Sequence, residues 1–189
     1  MCEDSKSAPS YYRSLCDELR LTAVEVEIIG EECGSSPDVV VDYAAKQLKA
    51  MKKDPDGQQY DQIWCAIDVD RHPTLDAAIS RAKALGIRIA LSNPCFEYWV
   101  LLHWEKTDRP FKDCGEAVKA VRKYSPKYEK GTFNFGDLAL FRDVACRHAA
   151  QFESSRPKMM TVRTKNSSTD VHRLVGALKG AAVLPYPAP

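Results

Sequence analysis

Nowhere among the 189 residues do apolar positions run uninterrupted for the roughly twenty that a membrane-spanning helix needs, so no membrane partner is expected. The start, Met1-Cys2-Glu3-Asp4, lacks the basic and then apolar regions of a secretory leader, and a cytoplasmic location is expected. The seven cysteines (2, 16, 33, 65, 95, 114 and 146) are scattered and never spaced as CxxC. Neither a zinc knuckle nor a disulfide framework is therefore predicted, and the cysteines are read as reduced, mostly buried thiols. Net charge is nearly absent, at +1.

That near-neutrality hides an asymmetry. Residues 1–70 carry 15 acids against 7 bases, and residues 105–189 carry 9 acids against 16 bases. The acidic part is suited to divalent cations and the basic part to phosphates, although such runs are more often solvated faces. At 44% apolar content the chain can bury a core of one domain, or of one domain with a smaller addition.

Residues 21–29 (LTAVEVEII) alternate apolar and charged side chains, as a strand with one wet face does, and end at Gly30. Ser36 is a candidate N-cap for a helix over 37–53, which Asp54-Pro55-Asp56-Gly57 breaks. Residues 60–67 (YDQIWCAI) read as a strand buried on both faces, 74–85 as a helix closed by Gly86, 87–91 as a strand and 94–104 as an apolar helix. Alternating strands and helices predict an α/β fold with a parallel sheet flanked by helices. After Lys106 the pattern turns helical, at about 113–123, 137–152 and 167–179. The predicted organisation is an α/β core over 1–106, a helical addition over 107–183 and an extended Pro-rich tail over 184–189.

Chemistry concentrates where strands should end. In Ile67-Asp68-Val69-Asp70-Arg71-His72, Asp68 and Asp70 follow a buried strand, and side chains at i and i+2 share a direction. Ligands gather at the carboxyl ends of parallel strands, and two carboxylates held there call for a cation, for which Mg²⁺ or Mn²⁺ is suited. A DxD also occurs as plain loop acids. Ser92-Asn93-Pro94-Cys95-Phe96-Glu97-Tyr98-Trp99 follows the next strand, so Glu97 falls at the same rim. There it is either a first-turn acid favoured by the helix dipole or a further metal ligand.

Three separated segments together resemble the RloB-like family. Cys2-Glu3-Asp4-Ser5-Lys6-Ser7-Ala8-Pro9-Ser10-Tyr11-Tyr12 is similar to the pattern C-E-G-x-x-T-E-x-x-Y-F, Trp64 to His72 to a strand ending in D-x-D, and SNPCFEYWVLLH to S-N-P-x-F-E-x-W-x-L-L-H. Asn166-Ser167-Ser168-Thr169-Asp170-Val171-His172 also resembles a family segment before the last helix. The resemblance implies kinship with the Toprim and overcoming-lysogenization-defect nucleases of prokaryotic restriction and phage-defence loci, often beside an ABC-type or AAA-type ATPase. It implies a Rossmann-like sheet, with Glu3 as the Toprim glutamate, Asp68 and Asp70 as the metal pair and Glu97 as an added acidic ligand. Asp4-Ser5 stands where the family has a Gly-containing turn, and only Met1 and Cys2 precede Glu3. A first strand is thus expected to be missing, unless another segment fills its position. The bare sheet edge would invite homodimerisation or docking by another chain, and activity should be weak until an upstream apolar segment is restored.

The activity so implied is Mg²⁺-dependent hydrolysis of nucleic-acid phosphodiesters, DNA or RNA. Glu3 would act as general base or acid, and a cation would answer the charge on the non-bridging oxygens. Lys130 is the first candidate for that cation, with Arg71, His72 and Lys6 behind it. Haloacid-dehalogenase-type phosphatase chemistry fits less well, since His72 stands where such a motif has Thr or Val. A nucleotide-sugar-binding DxD leaves the SNPCFEYW run unexplained. The non-enzyme alternative is an inactive Toprim-like module binding nucleic acid or a partner ATPase.

Overall fold

The computed structural model describes residues 1–2, 6–21, 36–57, 59–69, 72–131, 134–157, 160–161 and 163–183. Apart from Leu21, the strand predicted over 21–29 lies outside these residues, as do Glu3, Asp70, Arg71 and the tail.

At the centre is a parallel β-α-β unit. Strand β1 (Trp64–Asp68) and strand β2 (Arg88–Asn93) pair from Trp64↔Arg88 to Asp68↔Ser92, and α3 (Leu75–Leu85) links them. Gly86 ends α3 at φ 74°, in the left-handed region where a side chain is strained. Alternation along β1 sends Cys65 and Ile67 to one face of the sheet and Ala66 to the other. The first face is covered by α3 and by α2 (Pro37–Lys53), whose Val40, Val41 and Ala44 meet Leu75, Ala78 and Ala82 in a wholly apolar layer. As predicted, Ser36 caps α2 with Pro37 in its first turn, although no side-chain hydrogen bond is made there.

The second face carries the larger core. Helix α1 (Ser7–Glu18) packs Tyr11, Tyr12 and Leu15 against Phe96 and Trp99 of α4 (Phe96–Leu101), over the small residues Ala66 and Ala90. Helices α5 (Cys114–Val121), α6 (Phe135–Ser155) and α7 (Val171–Val183) supply Ala117, Val121, Leu138, Ala145, Val171 and Val175 to the same cluster. The helical part after Lys106 therefore shares one core with the elements before it.

Three expectations need correction. The region after Lys106 is not helical alone: β3 (Ser168–Thr169) pairs antiparallel with β2 through Ser92↔Thr169 and Asn93↔Ser168, so the sheet is mixed, in the order β1-β2-β3. That pairing carries β2 on to Asn93, and Pro94, after a cis peptide bond, and the extended Cys95 turn the chain before α4 begins, later than predicted. The edge of β1 expected to be bare is partly covered as well. The Met1 ammonium donates to the Trp64 carbonyl at 2.8 Å, the Ala66 N–H donates to the Met1 carbonyl at 2.8 Å, and Cys2 forms a parallel bridge with Ala66.

Candidate active site

Asp68 is the last residue of β1, and by alternation it shares the face of Ala66, towards α1. Its half-buried carboxylate is close enough to Tyr12 to help hold that phenol protonated. Burial is the larger cause of the raised Tyr12 pKa, with Cys2, Tyr11 and Asp68 adding to it. The Tyr12 hydroxyl is buried without a hydrogen-bond partner among the described residues. Asp70, the other half of the predicted pair, lies outside the described residues, and so does Glu3, which follows directly on the Cys2 held against β1.

Glu97 occupies the first turn of α4, after the end of neighbouring β2, and is fully buried. A buried carboxylate is costly unless its lone pairs are met. Here Oε1 accepts from the Ser7 hydroxyl at 2.9 Å and the Tyr128 phenol at 3.1 Å, and Oε2 lies 3.6 Å from Lys130 Nζ and 3.1 Å from Cys114 Sγ. Ser7 is itself buried and takes the Gly131 N–H at 3.2 Å. Ser7, Glu97 and Cys114 all stand in the first turns of their helices, where unpaired N–H groups favour negative charge.

The structure thus brings two predicted residues together, Glu97 and Lys130, and adds Ser7, Tyr128 and Cys114, which the sequence did not single out. Ser7 sits inside the family-like N-terminal segment, and Tyr128 lies two residues before Lys130. Those were the available signals. With four protein atoms around it, Glu97 is a hub joining α1, α4, α5 and the 125–131 connection, which neither the dipole reading nor the metal-ligand reading anticipated. Lys6, at the start of α1, is exposed and packs against Gly131. His72 gives its carbonyl to the Arg163 guanidinium at 2.7 Å, and Asn93 donates to the Arg163 carbonyl at 3.4 Å. The 163–169 segment is thereby tied to the strand ends.

The cysteine expectation also changes. Cys95, the N-cap of α4, and Cys114, the first residue of α5, are joined as a disulfide with Cα atoms 5.6 Å apart. Among the described residues, Cys2, Cys16, Cys65 and Cys146 form no disulfide. Two helix starts packed side by side bring together cysteines 19 residues apart, which spacing alone does not reveal.

His103 lies in the core beyond Glu97. Its Nδ1–H faces the carbonyls of Trp99 and Val100 at 3.1 Å, its ring packs on Trp99, and burial pushes its pKa down to about 4. It is a neutral packing residue, buried in the same core as Trp99.

A mixed open sheet with helices on both faces, and an acid at the end of its central parallel pair, defines the class as α/β with its candidate site at the strand ends. The model of RloB-like proteins matches residues 1–178, and the chain belongs to the RloB-like family. Neither a curated protein nor a solved structure matches it. Among the described residues no helix is long and apolar enough to cross a membrane.

Proposed function

We propose that this chain is a Mg²⁺-dependent, Toprim-like phosphodiesterase acting on nucleic acid, with its centre at Asp68. The observation that carries this reading is the placing of Asp68 at the carboxyl end of a parallel strand, on the face that also holds the Glu97–Lys130 pair. The family resemblance supports a role in prokaryotic restriction or phage defence and a partner ATPase.

The donor chemistry fits Mg²⁺ at Asp68 better than at Glu97. Asp68 offers hard oxygens at a half-buried strand end, whereas Glu97 is enclosed by Ser7, Tyr128 and Lys130, with sulfur beside it. Asp68, Asp70 and Glu3 would hold the ion, which when bound would polarise the phosphate and acidify its water. Glu3 would take a proton from the attacking water. Lys130, steadied by Glu97, would meet the charge that grows on the non-bridging oxygens. Lys6, Arg71 and His72 would extend the phosphate contacts.

Titration calorimetry with Mn²⁺, paired with cleavage of labelled DNA and RNA, tests the proposal. Asp68→Ala/Asp70→Ala should lose both binding and cleavage. Mn²⁺ binding unchanged in that variant would overturn the metal assignment. Intact metal binding without cleavage of either nucleic acid would instead favour the non-enzyme reading, which the enclosure of Glu97 by its own protein partners also suits.

A further inference from the structure

We propose that Cys95 and Cys114 form a redox-active pair that exchanges with low-molecular-weight disulfides and, through Glu97, reports its state to the site. The two sulfurs differ in access: Cys95 is 2% exposed, while Cys114, at the start of α5, is partly open to solvent. An incoming disulfide can therefore be attacked by Cys114, and Cys95 stands beside it to resolve the product.

The exchange balances without a further reagent. The Cys114 thiolate attacks one sulfur of the small disulfide, forms a mixed disulfide and expels one small thiolate, which takes up the proton Cys114 lost. The Cys95 thiolate then attacks Cys114 Sγ and expels the second small thiolate, which is protonated in turn. Two protein thiols are oxidised, and one small disulfide is reduced to two thiols.

Glu97 links this pair to the site. Its Oε2 lies 3.1 Å from Cys114 Sγ and 3.6 Å from Lys130 Nζ. In the dithiol, the Cys114 S–H donates to Oε2. In the disulfide that sulfur has no proton, so Oε2 loses a donor and draws more strongly on Lys130. Oxidation thus ties the site cation to Glu97, and reduction releases it towards substrate. The packing of α4 on α5 does not hang on the bond, because Phe96, Tyr98, Phe111, Ala117 and Val121 are buried in one cluster around it. Only the effect on cleavage rests on the nuclease reading. The redox equilibrium itself does not.

The test equilibrates the 189-residue chain in graded ratios of reduced to oxidised glutathione, traps thiols by alkylation and maps them by peptide mass. The expected result is reversible conversion of the 95/114 pair alone. Cys16 and Cys65 should stay thiols, since burial pushes each up to about 11. A pair that stays dithiol in pure oxidised glutathione, or disulfide in pure reduced glutathione, overturns the proposal. Glu97→Gln should shift the midpoint towards the disulfide by roughly five- to tenfold, the worth of one hydrogen bond. Tyr128→Phe, which removes a competing donor to Glu97, should shift it the other way, so the coupling can still be judged if the first variant does not fold. An identical midpoint in whichever of them folds would remove the link to Glu97. If cleavage exists, it should be slower in the oxidised form. Redox cycling without any cleavage would leave the pair standing and remove only the nuclease reading.

Discussion

The two faces of the sheet differ in what they bury. Beneath α2 and α3 lie Val40, Val41, Cys65, Ile67, Leu75 and their neighbours, and no buried polar side chain comes from either helix. Beneath α1 and α4 to α7, Ser7, Ser92, Glu97, His103, Arg142, Ser167 and Thr169 are all buried. Each such group must be matched by a partner or it weakens the fold. The first face holds the sheet together at low risk. The second holds it together while keeping a carboxylate, two strand-end polar residues and a cysteine pair in fixed places.

The largest expected contrast comes from one residue on each face. Asp68→Ala should cut cleavage on the order of a hundredfold or more, the scale of losing one well-placed charged group in a site, with little change in urea midpoint. Leu75→Ala should do the reverse. It removes a fully buried side chain from the apolar layer and should cost about 2–5 kcal/mol, with activity per folded molecule retained. If both variants lose stability equally, the division of labour between the faces is wrong.

Acid should expose the polar face next. Burial lowers His103 from 6.5 to about 4, so between those values the unfolded chain binds a proton that the folded chain refuses. The stabilisation is complete above pH 6.5 and is lost as pH falls towards 4, to a total of about 3 kcal/mol. Denaturation curves across this range should flatten by that amount in His103→Leu, relative to the parent. Parallel curves for parent and variant would mean that His103 is not held neutral by burial.

How much of this was legible in the sequence depends on range. The β-α-β unit was readable because its signals are local: the apolar run before Asp68, helical spacing through Leu75 and Ala82, and Gly86 at the stop. The position of Asp68 at a strand end followed from the same run. The partners of Glu97 were not readable, since Ser7 is 90 residues away and Tyr128 is 31. Two residues of β3 were hidden for the same reason. Ser168 and Thr169 have no strand-like pattern and become a strand only because Ser92 and Asn93 pair with them. Scattered cysteines gave no hint of a pair, because only the packing of α4 against α5 sets Cys95 beside Cys114.

Matched charge reversals separate the faces as nucleic-acid surfaces. Lys123, Lys127 and Lys130 are exposed around the buried Tyr128, on the side of Glu97. Lys46, Lys49 and Lys52 line a 550 Å³ groove between α2 and α3 on the opposite face. Reversing the first three should weaken binding and lower the salt slope by up to about 2–3, near 0.7–0.9 for each phosphate no longer neutralised, while reversing the second three should leave both unchanged. The opposite outcome in a salt-dependent binding assay would move the nucleic-acid surface to the α2/α3 groove.

The smallest effect is expected at Gly86, where α3 ends and the chain turns into β2. Nothing lies within 4 Å of where a Cβ would sit, so a side chain meets no clash there and any cost comes from the backbone at φ 74°. Alanine in the left-handed region is disfavoured by roughly 1–2 kcal/mol, whereas asparagine tolerates it better through local hydrogen bonding. Gly86→Ala should therefore lower stability by about that much, and Gly86→Asn should recover part of it, both read from urea unfolding. Metal binding and cleavage should not move in either variant, because Gly86 leads into the amino end of β2, away from Asp68 and Asn93 at the carboxyl ends. A loss of Mn²⁺ affinity in Gly86→Ala, at equal folded fraction, would show that strain on the apolar side reaches the strand ends and that the two faces do not act independently.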